Sequence, residues 1–259
     1  MTIDACVAQH QGDRKEQQDR AALLPHPKGG GVVLAVVADG MGGHAGGALA
    51  AQQVLYTATA NLARFSAREE SARELLETSF NEANVLIKGS RFINEKDPHS
   101  TAVMLLLQPE KVSWAHCGDS RLYSFRGERL LFRTTDHSYV EELVTKGRIT
   151  HEQALLHPYR NVLLSTLGSK APPEIDYGES DDLQPGDAFM LCSDGLWGHF
   201  NDAELGAVIA AHSARQASDL LINQARERAN GSGDNVSLTV IKLLEPPPRP
   251  KFKRSRAVA

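Results

Sequence analysis

Residues 32–38 are an unbroken apolar run, Val32-Val33-Leu34-Ala35-Val36-Val37-Ala38. A strand covered on both faces reads this way, because neither set of alternating side chains meets water. Residues 47–65 and 67–88 then read as two successive helices. In the second, Ala72, Leu75, Leu76, Ala83 and Ile87 recur near the helical period and make one apolar face. Strands are predicted at residues 101–107, 111–117, 122–125 and 130–133, with Gly127-Glu128 as the turn between the last two. Short helices follow at 139–146 and, behind a Thr150 cap, at 151–156. A strand at 187–192 leads to a second helix pair, 202–212 and 214–229, stopped by Gly231. Residues 236–243 form the last strand.

Strands in runs and helices in adjacent pairs are not the alternation of a parallel α/β fold. They predict an α+β fold, mostly antiparallel sheet with helices covering it. Residues 1–244 are expected to form one domain. Residues 245–259, rich in proline and basic side chains, bury no core and are expected to be a disordered tail.

Composition narrows the class. With 41% hydrophobic and 23% charged residues, the 259-residue chain is ordinary for a globular protein. No run nears the roughly 18 apolar residues of a membrane span, and the N-terminus lacks the basic start and apolar stretch of a signal peptide. Cys6, Cys117 and Cys192 are odd in number, far apart and set among apolar residues, so reduced, packed thiols and a cytoplasmic setting are expected. Net charge is −4, with +4 on the tail and therefore −8 on the body. An acidic body excludes the basic face of a nucleic-acid binder. It suits a site that concentrates carboxylates around cations.

The chemistry lies in aspartates beside glycines at strand ends. Asp39-Gly40 follows the first apolar run, and Gly118-Asp119 follows the strand ending at Cys117. Asp194-Gly195 follows the strand ending at Cys192, and Gly233-Asp234 precedes the last strand. Any one of these is an ordinary turn dipeptide. Four on strands that can share a sheet make a cluster of oxygen ligands, and such a cluster needs cations, since converging carboxylates otherwise repel and become protonated. Oxygen-only ligation favours Mg²⁺ or Mn²⁺ over Zn²⁺. Gly186-Asp187 shows the same dipeptide, but only a turn and a surface strand start are expected there.

Six segments carry a family resemblance: Arg14-Lys15-Glu16-Gln17-Gln18-Asp19, Asp39-Gly40-Met41-Gly42-Gly43-His44-Ala45-Gly46-Gly47, Gly118-Asp119-Ser120-Arg121, Asp136-His137-Ser138, Ser193-Asp194-Gly195 and Gly233-Asp234-Asn235. In this order and spacing, from about Gln9 to Leu243, the chain resembles the PP2C-like, or PPM, phosphatases, most of all the compact bacterial members that oppose eukaryotic-like Ser/Thr kinases. The resemblance implies an αββα sandwich, two stacked antiparallel sheets flanked by helix pairs. It implies a metal-dependent protein Ser/Thr phosphatase with two core Mn²⁺ or Mg²⁺ ions and a third, weaker one.

By the same resemblance, Asp39 bridges two metals and the Gly40 carbonyl binds one of them. Asp194 and Asp234 complete the first metal site, Asp19 supports the cluster, and Asp119 ligates the third metal with Asp194. Arg14 matches the arginine that holds the substrate phosphate. A guanidinium suits that task, because its planar fork donates two parallel hydrogen bonds. No phosphoenzyme is implied, so Cys117 and Cys192 read as strand core. The expected partners are phosphoproteins and a Ser/Thr kinase, with the chain itself a monomer and no nucleic acid or membrane span involved.

Three positions depart from the family pattern. Met41 stands where eukaryotic members carry the His proposed as general acid, and that role is not transferred to nearby His44. Gln17 replaces an asparagine, and His99-Ser100-Thr101 replaces a Gly-Thr-Thr. Trp114 and Trp197 read as core or sheet-edge aromatics. Three consecutive residues cannot form a catalytic triad; the family resemblance instead places Asp136-His137-Ser138 at the start of a flap running to about Gln184. Arg121 suits a structural ion pair and a substrate contact equally, while Asn235 is expected to order its turn. Two other functions compete with the enzyme: a non-catalytic phosphoprotein-binding module, and a dimetal phosphoesterase for small molecules. The intact Asp39, Asp194 and Asp234 favour a working catalyst over the first.

Overall fold

A computed structural model describes residues 1–42, 45–94 and 97–246. Strands β1 (Thr2–His10), β2 (Arg20–Pro25), β3 (Val33–Ala38) and the two-residue β4 (Gly40–Met41) precede helices α1 (Ala45–Arg64) and α2 (Ala72–Asn94). A short β5 (His99–Ser100) then opens the run β6 (Ala102–Leu107), β7 (Val112–Cys117), β8 (Arg121–Arg126) and β9 (Arg129–Arg133). Helices α3 (Tyr139–Thr145) and α4 (His151–Leu155) lead to β10 (Asp176–Ser180) and β11 (Asp187–Cys192). The single turn α5 (Asp194–Trp197), α6 (Asp202–Ala211), α7 (Ala214–Ala229) and β12 (Val236–Leu244) complete the order.

The strands form two five-stranded sheets, β1-β12-β11-β8-β9 and β10-β7-β6-β3-β2. Every pairing within them is antiparallel. Alternation along β3 explains its unbroken apolar run. Leu34, Val36 and Ala38 pack under α1 and α2, whereas Ala35 and Val37 face the opposite sheet. There they meet Leu105, Leu122, Leu191 and Ile241 in a dry layer between the sheets. On the far side, Met190, Leu238 and Val240 pack with Leu205, Ile209, Leu221 and Ala225 of α6 and α7. This is the expected α+β architecture, an αββα sandwich.

Local signals set the helix ends. Ser213 and Asn201 cap α7 and α6 through reciprocal bonds with Gln216 and Glu204, and Thr150 caps α4 with Gln153 in the same way. The second helix starts five residues later than expected, at Ala72. Ser71 accepts from the Glu74 amide and the Glu74 carboxylate accepts from the Ser71 amide, so the chain is capped there and not at Ser66. Three edge strands, β1, β2 and β10, had no prediction. In β1 the inward positions are Asp4, Cys6, Ala8 and His10, while Ile3 and Val7 point outward. Asp4 turns this inverted pattern to use by accepting the Ala214 amide at the start of α7. Strand β10 is largely polar and lies inside the segment expected to be flap; Gly178 lets it approach the Trp114 ring. The predicted tail falls almost wholly on residues 247–259, outside the described residues.

Candidate active site

Strand ends from both sheets meet at one edge of the sandwich. Asp39 follows β3, Asp119 follows β7, Asp194 follows β11, Asp234 precedes β12, and Asp19 precedes β2. Asp39, Gly40, Asp119, Asp194 and Asp234 line a cleft of about 590 Å³, with Arg14 at its wall. Asp19 sits behind that floor, 1% exposed.

Each aspartate is held by its neighbours. The Asp39 amide donates to Thr101 Oγ1 at 3.1 Å, and its carbonyl accepts from the Thr101 amide at 2.9 Å and Ser100 Oγ at 3.0 Å. Ser100 and Thr101, for which the sequence offered no role, therefore fix the backbone of the central aspartate. Gly40 packs directly on Gly47 of α1, and a side chain on either would collide with the other's backbone. Ser193 Oγ donates to Asp19 Oδ2 at 2.7 Å, and the Asp19 amide donates to the Gln17 side-chain oxygen at 3.0 Å. Gln17 thus serves the loop in its own way. Asn235 accepts from the Gln18 amide and donates to the Gln11 and Glu16 carbonyls, tying residues 11–18 to the start of β12 as expected.

Electrostatics asks for cations. Burial, then neighbouring carboxylates, pushes Asp39 and Asp119 far above the usual carboxylate range and raises Asp194 as well. Burial, only partly offset by hydroxyl hydrogen bonds, lifts Asp19 to about 7. Arg14 bonds Asp234, while Asp194 Oδ1 is buried with no hydrogen-bond partner. An all-oxygen donor set with an orphaned carboxylate oxygen fits hard divalent cations. Among the described residues, three nitrogen, sulfur or carboxylate ligand atoms fall within 4.8 Å of one another only at His116, His137 and Asp176, not among the aspartates. The aspartates are instead spread around the cleft.

Other expectations resolve around this cleft. Arg121 is a structural ion pair: it bonds Asp136 bidentately at 2.8 and 2.7 Å, bonds the Tyr123 hydroxyl and stacks 3.5 Å over Trp197. The Trp197 ring donates to the Asp119 carbonyl at 2.9 Å, so this aromatic anchors an acidic loop as well as the core. Asp187 corrects its expected surface role. It is 2% exposed and accepts two bonds from Arg126, at 2.7 and 3.1 Å, and one from the Gln184 amide. The pair joins adjacent strands far from the cleft. Cys117 and Cys192 are buried, and burial pushes the Cys117 thiol up to about 12. Met41 borders the cleft, whereas His44 lies outside the described residues. Asn161 and Leu163, between α4 and β10, also line the cleft. Nothing in their sequence marked them, because the contact arises from the chain folding back over the sheet ends.

Fold and cleft together define a class, a two-sheet α+β protein with a carboxylate-lined cleft suited to divalent metals. The family model described as Protein phosphatase 2C matches residues 8–229, and the chain belongs to that family. It is 31% identical over 223 residues to the serine/threonine protein phosphatase PstP of Mycobacterium tuberculosis, covering 83% of this chain and 41% of that protein. A solved serine/threonine phosphatase of S. agalactiae is 27% identical, with a TM-score of 0.84 over 93% of this chain and 100% of its own. The PstP catalytic domain in complex with two manganese ions is 26% identical, with a TM-score of 0.76 over 94% and 99% of the two chains. Among the described residues, no helix is long and apolar enough to cross a membrane.

Proposed function

We propose that this protein hydrolyses phosphoserine and phosphothreonine in other proteins, using Mn²⁺ or Mg²⁺. The observation that carries the reading is the convergence of Asp39, Asp119, Asp194 and Asp234 on one cleft walled by Arg14. Asp39, the Gly40 carbonyl, Asp194 and Asp234 would hold two core ions, with Asp19 behind them and Asp119 serving a third. Divalent ions, when bound there, lower the pKa of water and neutralise charge on phosphoryl oxygens.

The chain supplies position. Arg14, 61% exposed at its side chain, can turn from Asp234 toward an incoming phosphate and grip two of its oxygens. Ser100, Thr101 and Ser193 hold Asp39 and Asp19 against drift. Asn161 and Leu163 border the space above the reacting group. The cleft is open, which suits an extended segment of a protein substrate. A cognate Ser/Thr kinase, a cytoplasmic setting and action as a monomer complete the reading. The same opening admits small phosphate esters, so the second reading, a small-molecule phosphoesterase, keeps a place.

One assay separates them. Turnover of a phosphothreonine peptide is compared with that of a small phosphate ester, with Mn²⁺, with Mg²⁺ and in excess EDTA. The proposal expects a higher kcat/KM on the peptide and loss of activity in EDTA. Full activity in EDTA, or preference for the small ester, would overturn it.

A further inference from the structure

A second cluster lies on the β7 side of the molecule, outside the aspartate cleft. Asp176 opens β10 and stands directly opposite His116 of β7 in the antiparallel register. His137, in the turn before α3, stacks its ring on His116 with centroids 4.7 Å apart. Both imidazoles are nearly sealed, 3% and 9% exposed, whereas the Asp176 side chain is 56% exposed.

The hydrogen bonds leave particular atoms free. His116 Nε2 bonds the Thr135 carbonyl at 2.8 Å, so it carries the proton and Nδ1 presents a lone pair. That Nδ1 and His137 Nε2 are buried without a hydrogen-bond partner. His137 Nε2 lies 3.4 Å from Asp176 Oδ2, and the three ligand atoms fall within 4.8 Å of one another. Two buried, unpartnered polar atoms facing one carboxylate are rare in a folded core.

We infer that His116 Nδ1, His137 Nε2 and the Asp176 carboxylate form a transition-metal site of the Zn²⁺ class, with solvent as fourth ligand. Nitrogen-rich ligation selects Zn²⁺ or Co²⁺ over the Mg²⁺ that suits the all-oxygen cleft. At zinc–ligand distances of about 2.0–2.1 Å, neighbouring ligand atoms stand roughly 3.3 Å apart. The His137–Asp176 edge already matches, the half-free Asp176 side chain can close its own edge to His116, and any excess between the two imidazole nitrogens is taken up by the rings themselves. The Nε2–H of His116 on the Thr135 carbonyl is the outer bond that typically orients a metal-binding imidazole. One bond opposes the site. The Gly118 amide donates to His137 Nδ1 at 3.2 Å, and ligation through Nε2 moves the ring proton to Nδ1 and breaks that contact. It is a long bond, so the cost lowers affinity without forbidding binding.

The test reads binding and not turnover, so its failure leaves the phosphatase reading untouched. Full-length protein saturated with Mg²⁺ is titrated with Co²⁺, following visible absorption. The wild type should bind one equivalent with the intense spectrum of a four-coordinate ion. Asp176→Asn should weaken that binding at least ten-fold while Mg²⁺-supported turnover is kept. His116→Gln should abolish the spectrum. If that buried replacement fails to fold, Asp176→Asn carries the test alone. A Co²⁺ affinity that falls less than ten-fold in Asp176→Asn, or a weak six-coordinate spectrum in the wild type, would overturn the site.

Discussion

The Arg14 guanidinium lies 2.5 Å, Nη2 to Oδ2, from Asp234, so the residue matched to phosphate binding also neutralises a residue matched to metal binding. Both side chains are well exposed, and such a pair adds little stability by itself. Its interest is the shared charge. Arg14→Ala should raise KM for a phosphopeptide several-fold, because the bidentate grip is lost. Mn²⁺ affinity should hold or rise, since a competing cation leaves Asp234. Steady-state kinetics beside a metal titration checks both, and an unchanged kcat/KM removes Arg14 from the site.

Asp234 and Asp187 follow the same dipeptide pattern yet do different work. Asp234→Asn keeps an oxygen but removes the charge facing the cleft, so Mn²⁺ affinity and kcat should both fall, kcat by about 10² or more. Asp187→Asn should leave metal binding alone and lower the melting temperature by several degrees, because the buried carboxylate accepts two bonds from Arg126 and one from the Gln184 amide. Metal titration and thermal melts of the two variants make the comparison. Loss of metal binding in Asp187→Asn would contradict the structure.

Asp119 and Trp197 test the third ion. Asp119→Ala should leave the tightest Mn²⁺ equivalents bound and remove the weakest, with turnover falling. Trp197→Phe deletes the bond to the Asp119 carbonyl while keeping most of the aromatic surface under Arg121. It should therefore shift the weakest Mn²⁺ step to higher concentration, by less than Asp119→Ala does. Calorimetric titration that shows loss of the tightest step in either variant would reverse the assignment.

The division between the folded body and the tail also has a direct check. Strand β12 ends at Leu244, and beyond it Glu245 offers its carbonyl to the Thr2 hydroxyl at 3.1 Å. Ending the chain after Leu244 should change kcat/KM little and the melting temperature by less than about 2 °C, equivalent to under roughly 1 kcal/mol for a body of this size. A larger drop would place tail residues on the body.

What the chain disclosed in advance follows from where its information is local. The core strands announced themselves because both faces are dry, and the helix pairs because each has one dry face. The aspartates were visible since a ligand at a strand end needs a tight turn beside it. Strand β1 hid because it is an edge whose outward residues, Ile3 and Val7, are apolar while Asp4 points in. Asp187 was misjudged because its partner, Arg126, is a cross-strand neighbour 61 residues away, which no periodicity records. His116, His137 and Asp176 converge through a strand that was taken for flap, so their meeting could not be read from spacing.

Asp19 links the site to stability. Burial lifts its carboxyl to about 7 in the metal-free protein, against 3.8 for an ordinary aspartate. A group whose folded pKa is raised lends its full stability below the unfolded value and withdraws it as pH climbs through the folded one. In EDTA, then, Asp19 should weaken the fold progressively between about pH 4 and 7. Asp19→Asn, which cannot ionise and keeps an acceptor for Ser193 Oγ, should escape that loss. The variant should melt close to the wild type at pH 4.5 and several degrees above it at pH 7.5, both in EDTA. With saturating Mn²⁺ the order at pH 7.5 should reverse, because the ionised Asp19 then has cations to face. Thermal melts across this grid decide the matter, and a wild type that stays the more stable protein in EDTA at pH 7.5 would show that Asp19 is compensated by some charge other than a metal.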